Sequence, residues 1–265
     1  MNAHSKTKDV SEAYVPKAYQ TGIIDFYGQD FIVTPDVLIP RPETEQLIDE
    51  VLSLAGKPIL PGVKPTENVL PDNPIIIDAG TGSGCIAITL KRLLPDATVY
   101  ASDISKNAIK IAQKNASRQN IPIHTIISNL LEFVNSQACD DPKGGHQNAC
   151  GSKILGEEGR QDPPRIDLIV ANLPYVDKNW DWIDKDALSA EPSLALYADD
   201  GGLDLIKQLI DQSAALKIPR LILEADPCQH QRIIDYAQNK YTLENTRGFI
   251  LSLKSKKTFH QRNEI

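Results

Sequence analysis

The segment Asp78–Gly84 has a composition suited to binding a ligand through its backbone. It reads Asp-Ala-Gly-Thr-Gly-Ser-Gly and directly follows the apolar run Ile75-Ile76-Ile77. Glycine lets a chain turn tightly and approach a ligand without a Cβ atom in the way. The spacing is G-x-G-x-G, not the G-x-G-x-x-G of dinucleotide sites, and no Gly-Lys-Ser/Thr of a phosphate-binding loop follows. The segment predicts a ligand-binding turn between a strand and a helix, with a plain connecting turn as the alternative.

Asp103 is the second candidate, 19 residues after Gly84 and at the end of a predicted strand. In a doubly wound sheet, a carboxylate at this position can accept hydrogen bonds from both hydroxyls of a ribose. An ionised carboxylate only accepts hydrogen bonds, so it suits a diol. The alternative is that Asp103 helps to cap the helix that begins behind Ser105.

The tetrapeptide Asn172-Leu173-Pro174-Tyr175 is the third candidate and follows a predicted buried strand. The Asn172 side chain offers a carbonyl acceptor, and Pro174 fixes the backbone so that a neighbouring carbonyl projects outward. Two acceptors on one side can hold both N–H groups of a planar amide or amine, and Tyr175 can supply an aromatic wall. A simple Asn-Pro-type turn is the alternative.

Alternating strands and helices are predicted to position these three segments. The predicted strands cover 75–77, 98–102, 121–127, 167–171 and 220–224, and the helices cover 84–94, 105–119, 202–216 and 228–239. Two further strands are predicted within 241–254. This alternation is typical of βαβ units in a mostly parallel sheet with right-handed crossovers. Ligands bind such sheets at the carboxyl ends of the strands, where the three segments lie.

The flanking regions divide the chain into three parts. Residues 1–22 are predicted to form a loosely ordered polar tail, and residues 23–56 a short β-hairpin followed by a helix. The remainder, 57–265, begins with a connector that holds five prolines between residues 57 and 74 and continues into the α/β domain.

A segment without periodicity, 135–164, interrupts this domain. It holds five glycines and three prolines, and its length predicts a disordered insertion. Cys139, His146 and Cys150 lie within it, but their spacing matches no standard zinc module and a fourth ligand is missing. No metal site is predicted.

The composition narrows the class of protein. Of the 265 residues, 28 are basic and 35 acidic, which gives a net charge of −7 and disfavours non-specific binding to nucleic acid. No apolar run is long enough to span a bilayer, the polar start is not a signal peptide, and the four cysteines are scattered. These features predict a cytoplasmic enzyme or binding protein with no membrane partner.

Together, the glycine loop, Asp103 and the Asn-x-Pro-Tyr tetrapeptide resemble a class I S-adenosylmethionine-dependent methyltransferase. The segment Val37–Glu45, which contains Pro-Arg-Pro-Glu-Thr-Glu, is similar to the signature of the HemK/PrmC family, the peptide chain release factor N5-glutamine methyltransferases. Further matches run through residues 14 to 250: Phe26-Tyr27-Gly28, Glu191-Pro192-Ser193-Leu194-Ala195-Leu196, Gly202-Leu203-Asp204 and Leu221-Ile222-Leu223-Glu224.

This resemblance implies a fold, a cofactor and a set of site residues. The fold is a doubly wound, mostly parallel seven-stranded sheet with an antiparallel last strand, preceded by a short β-hairpin. The cofactor is S-adenosyl-L-methionine, and the partner is a peptide chain release factor. The cofactor-binding residues would be Gly80, Thr81, Gly82, Ser83, Gly84, Asp103, Asn129, Leu130 and Asn172. Asn172, Leu173, Pro174 and Tyr175 would hold the substrate glutamine, with Asn172, Pro174 and Tyr175 as the catalytic group; Arg41, Glu43, Thr44 and Glu45 would lie near the mouth of the site without an assigned role.

The sequence departs from the family pattern at several positions. Leu173 replaces the first proline of Asn-Pro-Pro-Tyr, which keeps the backbone carbonyl but removes rigidity. Asn129 stands where the family has an acidic residue that contacts the adenine amine, Leu130 where it has an aromatic neighbour, and Asp226 where it has a glycine. The helical domain that precedes the hairpin in the family is expected to be nearly absent, with residues 1–22 as its remnant.

Two other functions compete with transfer of a methyl group to glutamine. An adenine-N6 DNA methyltransferase uses a similar tetrapeptide on a flipped base. The net charge and the lack of a target-recognition domain disfavour it, because the only basic cluster is Lys254, Lys256, Lys257 and Arg262. A non-catalytic cofactor-binding relative is the other alternative, suggested by Leu173, Leu130 and Asp226.

Overall fold

Two sheets and the helices around them make up the described part of the chain, residues 14–59, 68–135, 165–184 and 188–256 of the computed structural model. A hairpin consists of β1 (Ile23–Phe26) and β2 (Gln29–Ile32). The main sheet contains β3 (Ile75–Ala79), β4 (Thr98–Asp103), β5 (His124–Ile127), β6 (Leu168–Ala171), β7 (Arg220–Glu224), β8 (Tyr241–Arg247) and β9 (Ile250–Ser255).

The described helices flank these strands. They are α1 (Lys17–Thr21), α2 (Glu45–Leu54), α3 (Cys85–Leu93), α4 (Lys106–Gln119), α5 (Glu132–Asn135), α6 (Ser193–Leu196), α7 (Asp204–Ala215) and α8 (His230–Ala237). A kinked helical turn, Asp199–Gly202, directly precedes α7. Short 3-10 turns, Pro42–Thr44 and Pro227–Gln229, lead into α2 and α8. The helix predicted behind Ser105 is confirmed, with the Ser105 hydroxyl accepting from the Ala108 N–H at 3.2 Å as its N-cap.

The main sheet has the strand order β5-β4-β3-β6-β7-β9-β8. Strands β3 to β7 pair in parallel, and β9 pairs antiparallel with both β7 and β8. The predicted seven-stranded sheet, its antiparallel last strand and the preceding hairpin are therefore confirmed.

Side chains on the central strands point alternately into two cores. Ile76, Leu168 and Ile222 pack on one face, with residues from the hairpin, α2 and α3. Ile77 and Ile169 pack on the other face, with residues from α7 and α8. All four residues of β6 are buried, as expected for a central parallel strand that is covered on both faces.

Several predicted boundaries are wrong, including those of the tail, of the third strand and of the helix predicted at 202–216. Residues 17–21 form α1 rather than part of a loosely ordered tail, and the Tyr19 hydroxyl donates to the Val37 carbonyl at 2.6 Å. The third strand begins at His124 rather than at residue 121, since the proline at 122 has no N–H for the ladder. The helix predicted at 202–216 begins at Asp204.

Most of the predicted tail and of the predicted insertion lies outside the described residues, since the structure does not describe 1–13 or 136–164.

Candidate active site

A cavity of about 320 Å³ lies at the carboxyl ends of the parallel strands. From β3 the chain proceeds outward through β4 and β5, and then returns to place β6 on the other side of β3. The loops after β3 and β6 therefore diverge and leave a crevice, which is the usual ligand position in this class of sheet. Residues of the glycine loop and of the tetrapeptide both line this cavity.

The glycine loop turns through the left-handed region of the backbone at Gly80 (φ +77°) and Gly82 (φ +54°). A Cβ atom on Gly80 would lie 2.8 Å from Cδ2 of Leu173, so this glycine allows the loop and the tetrapeptide to touch. Gly80, Thr81, Gly82 and Ser83 line the cavity. Gly84, which was predicted with them, instead faces helix α4, where a Cβ would approach Ala112 at 3.0 Å.

Asp78 holds this loop from beneath. Its buried carboxyl accepts at Oδ2 from the Thr81 hydroxyl (2.6 Å) and from the Ala87 N–H (3.1 Å). Oδ1 has no hydrogen-bond partner among the described residues. Burial raises the pKa of Asp78 to about 7, against the lowering effect of these two hydrogen bonds.

Asp103 lines the cavity as predicted. Its Oδ2 accepts from the Gly82 N–H at 2.9 Å and its Oδ1 from the Ser105 N–H at 2.8 Å. The contact to Ser105 is the capping interaction considered as the alternative, and it coexists with exposure to the cavity. Each oxygen keeps a second lone pair for a ligand hydroxyl. Burial raises the pKa of this carboxyl, and the backbone hydrogen bonds oppose the rise.

Asn129 and Leu130 follow β5 and also line the cavity. The Asn129 amide donates to Glu132 Oε1 at 2.7 Å, which leaves its carbonyl oxygen as a free acceptor. Leu130 is buried at a left-handed backbone position (φ +49°) and presents an apolar surface where the family has an aromatic one.

The tetrapeptide places its first three residues on the cavity wall. The Asn172 amide donates from Nδ2 to the Thr44 hydroxyl at 3.0 Å. Tyr175 does not line this cavity; its hydroxyl donates to Glu224 Oε1 at 3.2 Å and its ring packs against the core. Leu173 is buried against Gly80, so the leucine side chain fills space at the contact between the two loops.

Thr44 and Glu224 are buried residues of this site to which the sequence assigned no role. Burial raises the pKa of Glu224 to about 7, while hydrogen bonds from the Thr44 and Tyr175 hydroxyls lower it. Burial of the Tyr175 hydroxyl, and the charge of Glu224 beside it, raise the pKa of Tyr175. An acidic residue at the end of an otherwise apolar strand was the available signal for Glu224, and a threonine within the Pro-Arg-Pro-Glu-Thr-Glu segment was the signal for Thr44.

An ion pair connects the segment Val37–Glu45 to the stretch of chain that begins at Glu191 and lines the cavity. Arg41 donates from Nη2 to Glu191 Oε1, and the Ile39 N–H donates to Glu191 Oε2 at 3.2 Å. Glu191 is buried, and the residues that follow it, Pro192, Leu194 and Ala195, line the cavity. The contact therefore joins two stretches of sequence that are far apart along the chain.

Asp226, the departure from a family glycine, has a local structural role. Its Oδ1 accepts from the Cys228 N–H at 2.9 Å, and Gln229 Oε1 accepts from the Asp226 N–H at 3.2 Å, which forms a capping box. Its φ of −62° requires no glycine.

The residues considered as metal ligands, Cys139, His146 and Cys150, lie outside the described residues. In the described ranges, no helix is both long and apolar enough to cross a bilayer.

Comparison with known proteins gives similar sequences and similar folds. The family model for the methyltransferase small domain matches residues 67–141. A release factor glutamine methyltransferase from Koribacter versatilis is 38% identical over 198 residues, which cover 74% of this chain and 57% of that protein. One from Flavobacterium psychrophilum is 32% identical over 236 residues and covers 87% of this chain and 70% of that protein.

The fold also matches solved structures. The T. thermophilus 16S rRNA N2 G1207 methyltransferase, in complex with AdoMet and guanosine, has a TM-score of 0.53 at 15% identity, over 89% of this chain and 50% of that one. At this identity the likeness shows a shared fold. The present chain spans less than two thirds of the length of the Koribacter relative.

Proposed function

Because the chain belongs to the release factor glutamine methyltransferase family, we propose that it transfers a methyl group from S-adenosyl-L-methionine to the side-chain amide nitrogen of a glutamine in a peptide chain release factor. The proposed acceptor is the glutamine of the Gly-Gly-Gln motif of the release factor, because the sequence resembles this family. The cytoplasm, where translation ends, is the proposed site of action.

The residues at the cavity fit this cofactor. Glycines in the loop leave an approach to the backbone that side chains would fill, and Gly82 in particular has open space where a Cβ would stand. Gly80, Thr81, Gly82 and Ser83 would hold the amino-acid moiety, Asp103 the ribose diol, and Asn129 the adenine amine through its carbonyl oxygen, with Leu130 beside the ring. When bound, S-adenosylmethionine supplies an electrophilic methyl group on a sulfonium.

Asn172 and its neighbours would orient the substrate amide. An amide nitrogen is a poor nucleophile because its lone pair is delocalised into the carbonyl. Accepting its two N–H groups with the Asn172 side-chain oxygen and the backbone carbonyl of Leu173 or Pro174 would direct that lone pair and favour pyramidalisation. Alignment of the reacting atoms at about 3–3.5 Å supplies much of the rate in such reactions. The proton can leave after attack, so no general base is assigned.

One observation carries the proposal: Asn172 lies on the cavity wall with its Nδ2 donating to Thr44. Its carbonyl oxygen is thereby left as an acceptor beside the glycine loop. An acceptor at this place suits a donor N–H₂ group, which a glutamine side chain offers.

The Asn172→Ala variant tests this function. We expect methyl transfer to a release factor to be abolished and the affinity for S-adenosylmethionine to be largely retained, because the side chain acts mainly on the acceptor amide. Calorimetry with the cofactor and a tritiated-methyl assay with release factor and with duplex DNA measure both. Asn245→Ala is the matched control, because it removes an exposed amide on β8 that donates a hydrogen bond to Glu50 on α2. Undiminished turnover by Asn172→Ala contradicts the proposal, and methylation of DNA alone supports the adenine-N6 alternative.

A further inference from the structure

Thr44 and Glu224 form a buried chain of polar groups behind the tetrapeptide. The Thr44 side chain comes from the 3-10 turn before α2, and Glu224 ends β7. Both residues are 1% exposed. Thr44 accepts a hydrogen bond from Asn172, and Glu224 Oε1 accepts one from the Tyr175 hydroxyl. Two residues of the tetrapeptide therefore rest on partners from elsewhere in the chain.

The hydrogen-bonding capacity of these groups restricts their arrangement. A threonine hydroxyl has one proton and can accept or donate, whereas an ionised carboxylate can only accept. Glu224 Oε2 is buried and has no hydrogen-bond partner among the residues the structure describes. The Thr44 hydroxyl interacts with the same carboxyl and lowers its pKa. A Thr44 proton turned toward Glu224 leaves the hydroxyl oxygen only as an acceptor for Asn172.

We propose that Thr44 and Glu224 are positioning residues that fix which end of the Asn172 side-chain amide faces the substrate. With the Thr44 oxygen reserved as an acceptor, the NH₂ group of Asn172 points to Thr44 and the carbonyl oxygen points to the cavity. In the reversed orientation, the NH₂ group of Asn172 would meet the NH₂ group of the acceptor amide, donor against donor. The consequence for turnover rests on the proposed function, whereas the orientation itself does not.

Protonation of Glu224 would weaken this control, since a carboxylic acid is itself a donor. The groups that face Glu224 are the hydroxyls of Thr44 and Tyr175 and the charges of Glu43 and Arg41. The buried thiol of Cys85, at the start of α3, also feels its charge. Burial raises the pKa of Glu224 to about 7, against the lowering effect of the two hydroxyls and of Arg41. We expect kcat to fall as the pH is lowered through this value, and this acid limb to be absent in Glu224→Gln.

Kinetics of matched variants test the proposal. Thr44→Val keeps the shape and removes the hydroxyl, so kcat should fall about tenfold to a hundredfold, as for other supporting contacts, with cofactor affinity unchanged. Thr44→Ser restores the hydroxyl and should recover most of the rate. The Thr44→Val/Glu224→Gln double variant should be no slower than the slower single variant, because both residues act on the orientation of the Asn172 amide. Thr89→Val is the control: it removes a buried hydroxyl that has no hydrogen-bond partner among the described residues, and its kcat should be unchanged.

An NMR measurement on the wild-type protein decides the orientation without turnover. In protein labelled with ¹⁵N-asparagine, the Asn172 side-chain signals are assigned by their loss in Asn172→Asp. One Hδ2 proton should exchange slowly with water, and this protection should disappear in Thr44→Val and return in Thr44→Ser. Equal, fast exchange of both protons in the wild type would overturn the proposal, as would a full kcat in a folded Thr44→Val. If the wild type methylates no glutamine, the proposed function fails, and the exchange of the Hδ2 protons still decides the orientation.

Discussion

Asp78 and Glu224 are two buried carboxyl groups on either side of the crevice, and each supports one half of the site. Both lie near the carboxyl end of a parallel strand, both have a pKa that burial raises to about 7, and each leaves one oxygen without a described hydrogen-bond partner. Their partners differ in origin. Those of Asp78 lie three and nine residues further along the chain, in the same strand–loop–helix unit. Those of Glu224 are Tyr175, 49 residues earlier, and Thr44, near the start of the described chain.

This difference separates a local half from a long-range half. The contacts of Asp78 with the glycine loop form within a single βα unit, so this support of the proposed cofactor side requires only local folding. The tetrapeptide receives its supports from the signature segment and from β7, so the proposed substrate side is complete only after these distant parts of the chain have packed together. Leu173 against Gly80 is the contact that joins the two halves.

Removal of the local support should have the largest effect. In Asp78→Ala, the buried Ala87 N–H and the Thr81 hydroxyl lose their acceptor, which should lower the free energy of unfolding by about 3 kcal/mol. The cofactor dissociation constant should rise more than about tenfold while the Asn172 environment is retained. Chemical denaturation and calorimetry measure the two effects, with the exposed Asp25→Ala as the control. If Asp78→Ala lowers kcat and spares cofactor affinity, as expected for Thr44→Val, the distinction between the halves is wrong.

The second largest effect should be a dependence of stability on pH that arises from the buried Asp78 carboxyl. A carboxyl with a pKa near 4 when unfolded and about 7 when folded binds more protons in the native state between these values. Its contribution to stability is therefore fully present below about pH 4 and is lost as the pH rises through 7. Between pH 4.5 and 6.5, the wild type should lose stability relative to Asp78→Asn by about 1 kcal/mol per pH unit, because one group contributes at most about 1.4. Denaturation at several pH values measures the difference, and parallel curves would show that Asp78 titrates normally.

The contact between the halves should have the smallest effect. Gly80 and Gly22 have nearly equal φ angles, +77° and +72°, but a Cβ on Gly22 would meet nothing within 4 Å. Alanine at Gly22 should cost about 1 kcal/mol for the backbone alone. Alanine at Gly80 should cost about 1 kcal/mol more, because the buried Leu173 must move. The additional Leu173→Ala substitution should cost less in the Gly80→Ala protein than in the wild type; strict additivity of the denaturation energies would mean that the two loops are not coupled.

The same contrast explains what the sequence can predict. The glycine spacing, Asp103 and Ser105 as an N-cap depend on neighbours along the chain, and the structure places them as predicted apart from Gly84. The long apolar runs likewise predict β3, β6 and β7 well. Thr44, Glu224 and the Arg41–Glu191 pair acquire their roles from partners far away in sequence, which no local pattern reveals. Tyr175 shows the same limit, because Glu224 draws its hydroxyl away from the cavity.

Mass spectrometry of a purified release factor, after incubation with this protein and S-adenosylmethionine, tests the central claim most directly. The peptide that contains Gly-Gly-Gln should gain one methyl group, located on the glutamine side chain by fragmentation. The gain should be absent with Asn172→Ala and with a release factor whose glutamine is replaced. An unmodified glutamine after incubation with folded, cofactor-binding wild-type protein, or a methyl group on any other residue, would contradict the account.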